Sequence, residues 1–320
     1  MADIGGTNAR FGWLDAPGSH ALHVRKLAVP DHAGPADAAR AYLAELAGLL
    51  GAAYRPPRHA AIAVATAVVG DQISFTNSHW SFSREKLQAE LGLAGLQVLN
   101  DFEALALALP HLEPNQLRAH GASPEARGTL AVIGPGTGLG VAGVAQTAQG
   151  WVALPGEGGH STLAPSDDFE SELLRCVRRE FAHVSAERLL SGIGLPVLHR
   201  AVATVLGHPV DEPWVAELIM DRGLTGTDEA CSRSLDTFCS LLGSFAGNVA
   251  LLLGARGGVY IGGGIVPRME ERFFRSSFRE RFEAKGRLRG YLEAIPTALI
   301  TDTLVALTGA AAAIEQQVGG

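Results

Sequence analysis

The sequence has few lysines and no surplus of positive charge. Its 320 residues include 26 Lys and Arg against 33 Asp and Glu, and only Lys26, Lys86 and Lys285 are lysines. The net charge of −7 argues against a nucleic-acid-binding protein, because no basic surplus is present to neutralise phosphates. No Gly-Lys dipeptide occurs, so the P-loop motif G-x-x-x-x-G-K-[ST] is excluded.

Cysteine is also scarce. Cys176, Cys231 and Cys239 are odd in number and lack C-x-x-C spacing, which argues against a disulfide framework and against a zinc site. A signal peptide has a basic segment followed by an apolar stretch, and the N-terminus lacks this pattern. These absences indicate a reducing compartment, and we expect a cytoplasmic protein.

One long stretch, residues 237–255, carries no charge and has to be weighed as a membrane helix. It contains Gly243-x-x-x-Gly247, a spacing that also occurs where membrane helices pair. Ser240 and Ser244 interrupt it, and α/β patterning surrounds it on both sides. We therefore predict a buried core helix and no membrane partner.

Glycine, in contrast, is abundant, and two glycine-rich turns lie between short apolar runs. They are Asp3-Ile-Gly-Gly-Thr-Asn8 and Gly134-Pro-Gly-Thr-Gly-Leu-Gly140. Such turns expose backbone N–H groups, and Thr7 and Thr137 add hydroxyl donors, so a phosphate chain could be held between them. The alternative is that both are simple hairpin connections.

The pattern of strands and helices around these turns is used twice. Strand, turn, strand, strand and then alternating helices and strands begin at residue 3, and the same order restarts at Thr129. This predicts an α/β protein of two domains with a ligand cleft between them. The residue pattern of a Rossmann fingerprint occurs at Gly138-Leu-Gly-Val-Ala-Gly143. It lies at the start of a predicted strand, however, whereas the fingerprint of a Rossmann fold must begin a helix.

A third glycine cluster, residues 262–264, follows a buried strand and would allow a planar group to lie against the backbone. A plain strand-to-helix turn before Pro267 explains the same residues equally simply.

Several polar side chains stand at strand ends or on glycine-shaped loops. Asn100 and Asp101 follow a strand, where they could bind the hydroxyls of a polyol or simply cap the next helix. Glu157 and His160 lie three residues apart in a loop of glycines, which favours contact with a ligand. Glu187 is expected in the first turn of a helix, where a surface acid is also favourable.

Seven ordered segments spread over nearly the entire chain closely resemble those of the bacterial ATP-dependent glucokinases, of the actin–hexokinase–sugar kinase superfamily. The segments are Asp3 to Arg10, Thr76-Asn77-Ser-His-Trp80, Leu99-Asn-Asp-Phe102, Gly134 to Val141, Leu154 to His160, His183 to Gly192 and Gly254 to Arg268.

The resemblance implies a fold, a reaction and a set of sites. The fold is an actin-like ATPase fold of two α/β domains, a ribonuclease H-like βββαβαβα unit used twice. Residues 1–110 with 301–320 would form the small domain and residues 111–300 the large one. The expected reaction is phosphorylation of glucose by ATP with Mg²⁺, by a homodimer, with Asp101 as the base for the 6-hydroxyl.

The residues implied for each ligand form two sets. The glucose-binding set is Asn100, Asp101, Glu157, His160 and Glu187. The ATP-binding set is Asp3, Gly5, Gly6, Thr7, Asn8, Gly136, Thr137, Gly138, Gly262, Gly263 and Gly264, of which Asp3 would also hold Mg²⁺ through water.

Two other functions stay open on the sequence. A related kinase of the repressor/open-reading-frame/kinase group would act on another hexose, but it would carry a Cys-rich zinc motif where Ser161-Thr-Leu-Ala-Pro165 stands here. A catalytically silent sugar sensor would need a means of acting on its partner, and no helix-turn-helix extension or basic tail is present.

Overall fold

The computed structural model describes residues 1–16, 18–75, 78–209 and 213–319, and the chain divides into two compact units. The first unit comprises residues 1–112, 151–155 and 302–320, and the second comprises residues 113–150 and 156–301. The boundaries expected from the sequence lie within two residues of these, except that residues 151–155 belong to the first unit.

Strands and helices follow one another in chain order. The strands are β1 (Ala2–Ile4), β2 (Asn8–Trp13), β3 (Leu22–Ala28), β4 (His59–Val64), β5 (Gln72–Ser74), β6 (Ser81–Ser83), β7 (Gly95–Asn100), β8 (Leu117–His120), β9 (Thr129–Pro135), β10 (Leu139–Thr147), β11 (Gly150–Gly156), β12 (Gly258–Ile261) and β13 (Thr297–Ile300). The helices are α1 (Pro35–Leu50), α2 (Arg84–Glu90), α3 (Asp101–Ala108), α4 (Asp168–Val177), α5 (Leu195–Leu206), α6 (Ala216–Thr225), α7 (Glu229–Leu253), α8 (Val266–Met269), α9 (Glu271–Arg275), α10 (Phe278–Glu283), α11 (Arg289–Glu293) and α12 (Val305–Gly319).

The first unit is built on a five-stranded sheet of order β3-β2-β1-β4-β7. β1 and β2 form an antiparallel hairpin around the first glycine turn, residues 5–7, and β1, β4 and β7 run parallel. Ile4, Val64 and Asn100 lie in register across the three parallel strands. The first glycine turn and the start of α3 therefore lie at the same edge of the sheet.

Helices cover this sheet because its strands are apolar on the buried face. α12 packs against α3 so closely that a Cβ atom on Gly309 would overlap the carbonyl oxygen of Ala104. The C-terminal helix thus returns to the first unit, as the resemblance implied.

In the second unit the strands follow the order β10-β9-β12-β13-β8. β9 and β10 form an antiparallel hairpin around the second glycine turn, residues 136–138, and β9, β12 and β13 run parallel. A glycine turn therefore occupies the same place in each sheet, between a central strand and its antiparallel neighbour.

The uncharged stretch predicted as a core helix is α7, and the prediction is confirmed. The helix is long and apolar enough to cross a membrane, but 72% of its most apolar window is buried within the protein. Gly243 and Gly247 lie against α10, where Cβ atoms would overlap the carbonyl oxygens of Phe278 and Phe282. The G-x-x-x-G spacing thus serves close helix packing inside the unit.

Some short elements differ from the sequence-based expectation. The hairpin of β5 and β6 and the strand β8 were not predicted, because three or four residues are too few to establish an alternating pattern. Helix α4 ends at Val177, after which the backbone N–H groups of Arg179 and Glu180 bond three residues back, in the tighter geometry common at helix ends.

Candidate functional site

The first glycine turn is held by backbone hydrogen bonds at both ends. The N–H of Gly5 donates to the carbonyl of Asn8 at 2.9 Å, and the carbonyl of Thr7 accepts from the N–H of Val29 at 2.9 Å. The turn between them, which includes Gly6, is thus fixed to β2 and to the end of β3. A fixed main-chain turn of this kind can present donors to an anion without reorganising.

Asp3 precedes this turn and pairs with Arg10. Their carboxylate and guanidinium lie 3.1 Å apart, and the hairpin register places the two residues directly opposite each other. Burial raises the pKa of the Asp3 carboxyl, and the Arg10 charge acts in the opposite direction. Sequence reasoning assigned no role to Arg10, although the register of a short hairpin could have revealed it.

Asn100 joins β7 to α3 and caps that helix. Its side-chain oxygen accepts from the N–H of Phe102 at 2.9 Å, and its own N–H donates to Glu103 at 3.4 Å. Its amide nitrogen also donates to the carbonyl of Thr66 at 3.2 Å. The capping explanation is therefore correct for Asn100, and the same bonds hold its amide in a fixed position beside Asp101.

Asp101 begins α3 with its carboxylate bonded to the N–H of Phe102 at 3.0 Å. The pKa of Asp101 is raised to about 6, mainly by burial and to a smaller extent by the nearby Asp3 charge, although the hydrogen bonds from Phe102 and Asn100 lower it. A carboxylate with such a pKa is ionised at pH 7 yet basic enough to accept a proton, as a general base must.

The second glycine turn is tied to residues far along the chain. Within the turn, the N–H of Gly136 donates to the carbonyl of Gly138 at 2.8 Å. The carbonyl of Gly136 accepts from the N–H of Gly192 at 2.7 Å. The turn, in which Thr137 lies between the two glycines, is thus held by a hydrogen bond from Gly192, a residue outside the β9–β10 hairpin.

Glu157, His160 and Glu187 converge in the second unit. A single 3-10 turn, Gly158–His160, follows Glu157, and the His160 ring lies 4.0 Å from the Glu157 carboxylate and 3.9 Å from that of Glu187. Glu157 and His160 are exposed, whereas the side chain of Glu187 is 24% exposed. The three side chains together offer carboxylate acceptors and an imidazole to a polyhydroxyl ligand.

The expectation that Glu187 lies in a helix is wrong. The N–H of Leu190 bonds the carbonyl of Ala186 at 2.8 Å and closes one turn, but the N–H of Gly192 leaves for the carbonyl of Gly136. The tertiary contact with the second glycine turn thus ends the helical path.

The third glycine cluster lies beside the second glycine turn. The N–H of Gly262 donates to the carbonyl of Ile133 at 2.8 Å, at the end of the neighbouring strand β9. Gly263 has a positive φ of 77°, and its Cβ would overlap the carbonyl oxygen of Pro135. Around Gly264 a Cβ would meet open space. Within the cluster, Gly263 therefore lies against β9, whereas Gly264 has open space around it.

A divalent cation fits the first unit only if solvent or a ligand supplies most of its oxygens. Among the described residues, no group of three or more His, Cys, Asp or Glu side chains could hold a metal. Asp3 offers a carboxylate near that of Asp101, and Mg²⁺ usually keeps several waters and binds one or two carboxylates plus phosphates. The motif residues Thr76 and Asn77 lie outside the described residues.

Comparisons with known proteins give one consistent result. A family model described as Glucokinase matches residues 1–317. The glucokinase of Aromatoleum aromaticum is 49% identical over 321 residues, covering 100% of this chain and 95% of that protein. A glucokinase crystal structure from an Antarctic psychrotroph matches with a TM-score of 0.90 at 38% identity, over 98% of this chain and 97% of that one. A ROK family glucokinase from Streptomyces griseus, solved with glucose and AMPPNP, shares the fold with a TM-score of 0.59 at 20% identity, over 98% of each chain.

Proposed function

This chain belongs to the glucokinase family of hexokinase-type sugar kinases, and from that premise we propose that it transfers the γ-phosphoryl group of ATP to the 6-hydroxyl of D-glucose. The products are glucose 6-phosphate and ADP. The observation that carries the proposal is Asp101, a partly buried carboxylate at the carboxyl end of a parallel strand with a pKa of about 6.

In the proposed reaction, the oxygen of the 6-hydroxyl attacks the γ-phosphorus while its proton passes to the Asp101 carboxylate. The bond from the γ-phosphorus to the bridging oxygen breaks, and ADP leaves with that electron pair. Because phosphoryl transfer proceeds through a loose transition state, positioning and charge neutralisation contribute most of the catalysis. The base itself typically adds ~10²–10⁴-fold.

The sugar would be bound by two sets of polar side chains. Asn100 and Asp101 would contact hydroxyls near the reacting oxygen, and Glu157, His160 and Glu187 would contact the others. Fixed bonds support this assignment, since the Asn100 amide is held by Thr66 and Phe102 and is not free to rotate.

ATP would be bound at the glycine clusters, which have no lysine. Main-chain N–H groups with the hydroxyls of Thr7 and Thr137 would contact the phosphates, beside Asn8, and residues 262–264 would lie against the adenosine. Mg²⁺, when bound through water to Asp3 and to phosphate oxygens, would neutralise the charge of the phosphates.

The finer fold assignment is part of the same proposal. Each unit has an antiparallel glycine hairpin followed by two parallel strands, β2-β1-β4-β7 in one and β10-β9-β12-β13 in the other. This shared order supports a duplicated ribonuclease H-like unit. We also propose that the protein is cytoplasmic and forms a homodimer. Sedimentation of the purified protein would test the homodimer.

A coupled assay of ADP release with glucose, mannose, fructose and N-acetylglucosamine tests the reaction. We expect the highest kcat/KM with glucose, and Asp101→Asn should lose most of kcat while binding glucose nearly normally. Higher activity on another sugar would indicate a different hexose kinase. Sugar binding without turnover in the unmodified protein would indicate a sensor.

A further inference from the structure

Glu187 has a contact that sugar binding alone does not explain. One carboxylate oxygen, Oε2, accepts a hydrogen bond from the backbone N–H of Leu139 at 2.8 Å. Leu139 is the first residue after the second glycine turn. The other oxygen, Oε1, lies 3.9 Å from the His160 ring. One side chain therefore touches both the turn and the loop that carries Glu157 and His160.

The turn is shaped to admit this carboxylate. A Cβ atom on Gly138 would lie 2.5 Å from Oε2 of Glu187, so the carboxylate rests directly against the glycine. Five residues after Glu187, the N–H of Gly192 donates to the carbonyl of Gly136. Residues 187–192 thus contact the turn at both ends, at Leu139 and at Gly136.

The backbone of Glu187 is itself fixed. Its N–H donates to the carbonyl of Gly159 at 2.8 Å, and its carbonyl accepts from the buried hydroxyl of Ser191 at 2.7 Å. The hydroxyl of Ser191 also accepts from the N–H of Gly194 at 3.0 Å. A side chain mounted on a backbone held in this way can hold the turn in one conformation.

We propose that Glu187 is a positioning residue for the nucleotide as well as a ligand for the sugar, because its carboxylate holds the second glycine turn through the Leu139 N–H. The inference rests on the proposed function, in which this turn contacts the phosphates of ATP. It extends that function, because Glu187 then affects nucleotide affinity even when no sugar is bound.

Nucleotide binding measured without sugar separates the two roles. AMPPNP with Mg²⁺ would be titrated into the sugar-free protein by calorimetry, for the unmodified chain and for Glu187→Ala, Glu187→Gln and Glu157→Ala. Hydrogen bonds to charged groups are among the stronger ones, so we expect Glu187→Ala to weaken AMPPNP binding by about tenfold. Glu187→Gln keeps an oxygen that can accept from Leu139, and we expect it to stay within about twofold of the unmodified protein.

Glu157→Ala is the matched control. Its carboxylate contacts the same His160 but, among the described residues, makes no hydrogen bond with the turn, so AMPPNP affinity should be unchanged while glucose affinity falls. Circular dichroism of each variant would show whether the fold is retained. If the alanine variant does not fold, Glu187→Asp replaces it, because its shorter side chain keeps the charge but cannot reach the Leu139 N–H, and unchanged AMPPNP affinity in that variant would overturn the positioning role.

The titrations distinguish failure of the positioning role from failure of the proposed function. Unchanged AMPPNP affinity in Glu187→Ala with weakened glucose binding would overturn the positioning role and leave the proposed function standing. An equal loss of AMPPNP affinity in Glu157→Ala would also overturn the positioning role, since the effect would not depend on the Leu139 contact. Normal glucose binding in all the variants would contradict the proposed sugar ligands, while the AMPPNP titrations would still decide the role of Glu187.

Discussion

Replacing Asp101 by Asn should make the protein more stable at neutral pH while it destroys activity. Burial raises the pKa of Asp101 from 3.8 to about 6, so the folded state disfavours the ionised carboxylate. The Asn side chain has the same shape, keeps an oxygen for the Phe102 N–H and carries no charge. The variant therefore avoids the cost of a buried charge.

The pH dependence follows from the direction of this shift. Below pH 3.8 the carboxyl is protonated in both the folded and the unfolded chain, and its ionisation does not affect stability. As the pH rises from 3.8 to about 6, the unfolded chain releases the proton first and the folded state loses relative stability. Above about pH 6 the full cost is present, about 3 kcal/mol.

Thermal unfolding of the unmodified protein and Asp101→Asn between pH 4 and pH 8 measures this cost. We expect the variant to unfold roughly 5–10 °C higher at pH 7, with the difference shrinking steadily toward pH 4. Asp31→Asn is the control, because it makes the same chemical change on an exposed carboxylate of the same unit. A difference in Tm that does not change with pH, or a variant less stable than the unmodified protein at pH 7, would refute the reasoning.

The remaining predictions use glycines with matched controls. Gly263→Ala should lower both Tm and AMPPNP affinity, since its φ is positive and a Cβ would overlap a carbonyl of β9, whereas Gly264→Ala should leave Tm nearly unchanged because a Cβ there meets open space. Equal effects of the two changes, by calorimetry and thermal unfolding, would contradict this. Gly309→Ala should destabilise the first unit by more than about 2 kcal/mol, because α12 cannot approach α3 with a Cβ in the way. Gly48→Ala, at an exposed position in the last turn of α1, should instead stabilise the protein by up to about 1 kcal/mol in urea unfolding.

The repeated glycine hairpins and the core helix could be predicted from the sequence because they depend on local chemistry. Gly5 and Gly136 each lie in turns that begin where a short apolar strand ends, and turn residues act over three or four positions. Likewise, Asn100 caps α3 with Glu103 three residues on, a pattern visible without any tertiary contact. These features follow from the order of neighbouring residues.

Glu187 shows what local patterns could not provide. Its sequence favoured a helix, yet a bond from Gly192 to Gly136 ends the helical path, and its carboxylate reaches an N–H 48 residues away.

The sequence by itself therefore determined the types of side chain available, the repeated strand order and the places where turns and caps form. Only the tertiary structure decided which distant groups meet and how their chemistry changes, as in the raised pKa of Asp101. The physical reason is that burial and long-range contact depend on how the sheets and helices pack together, and no window of neighbouring residues contains that information.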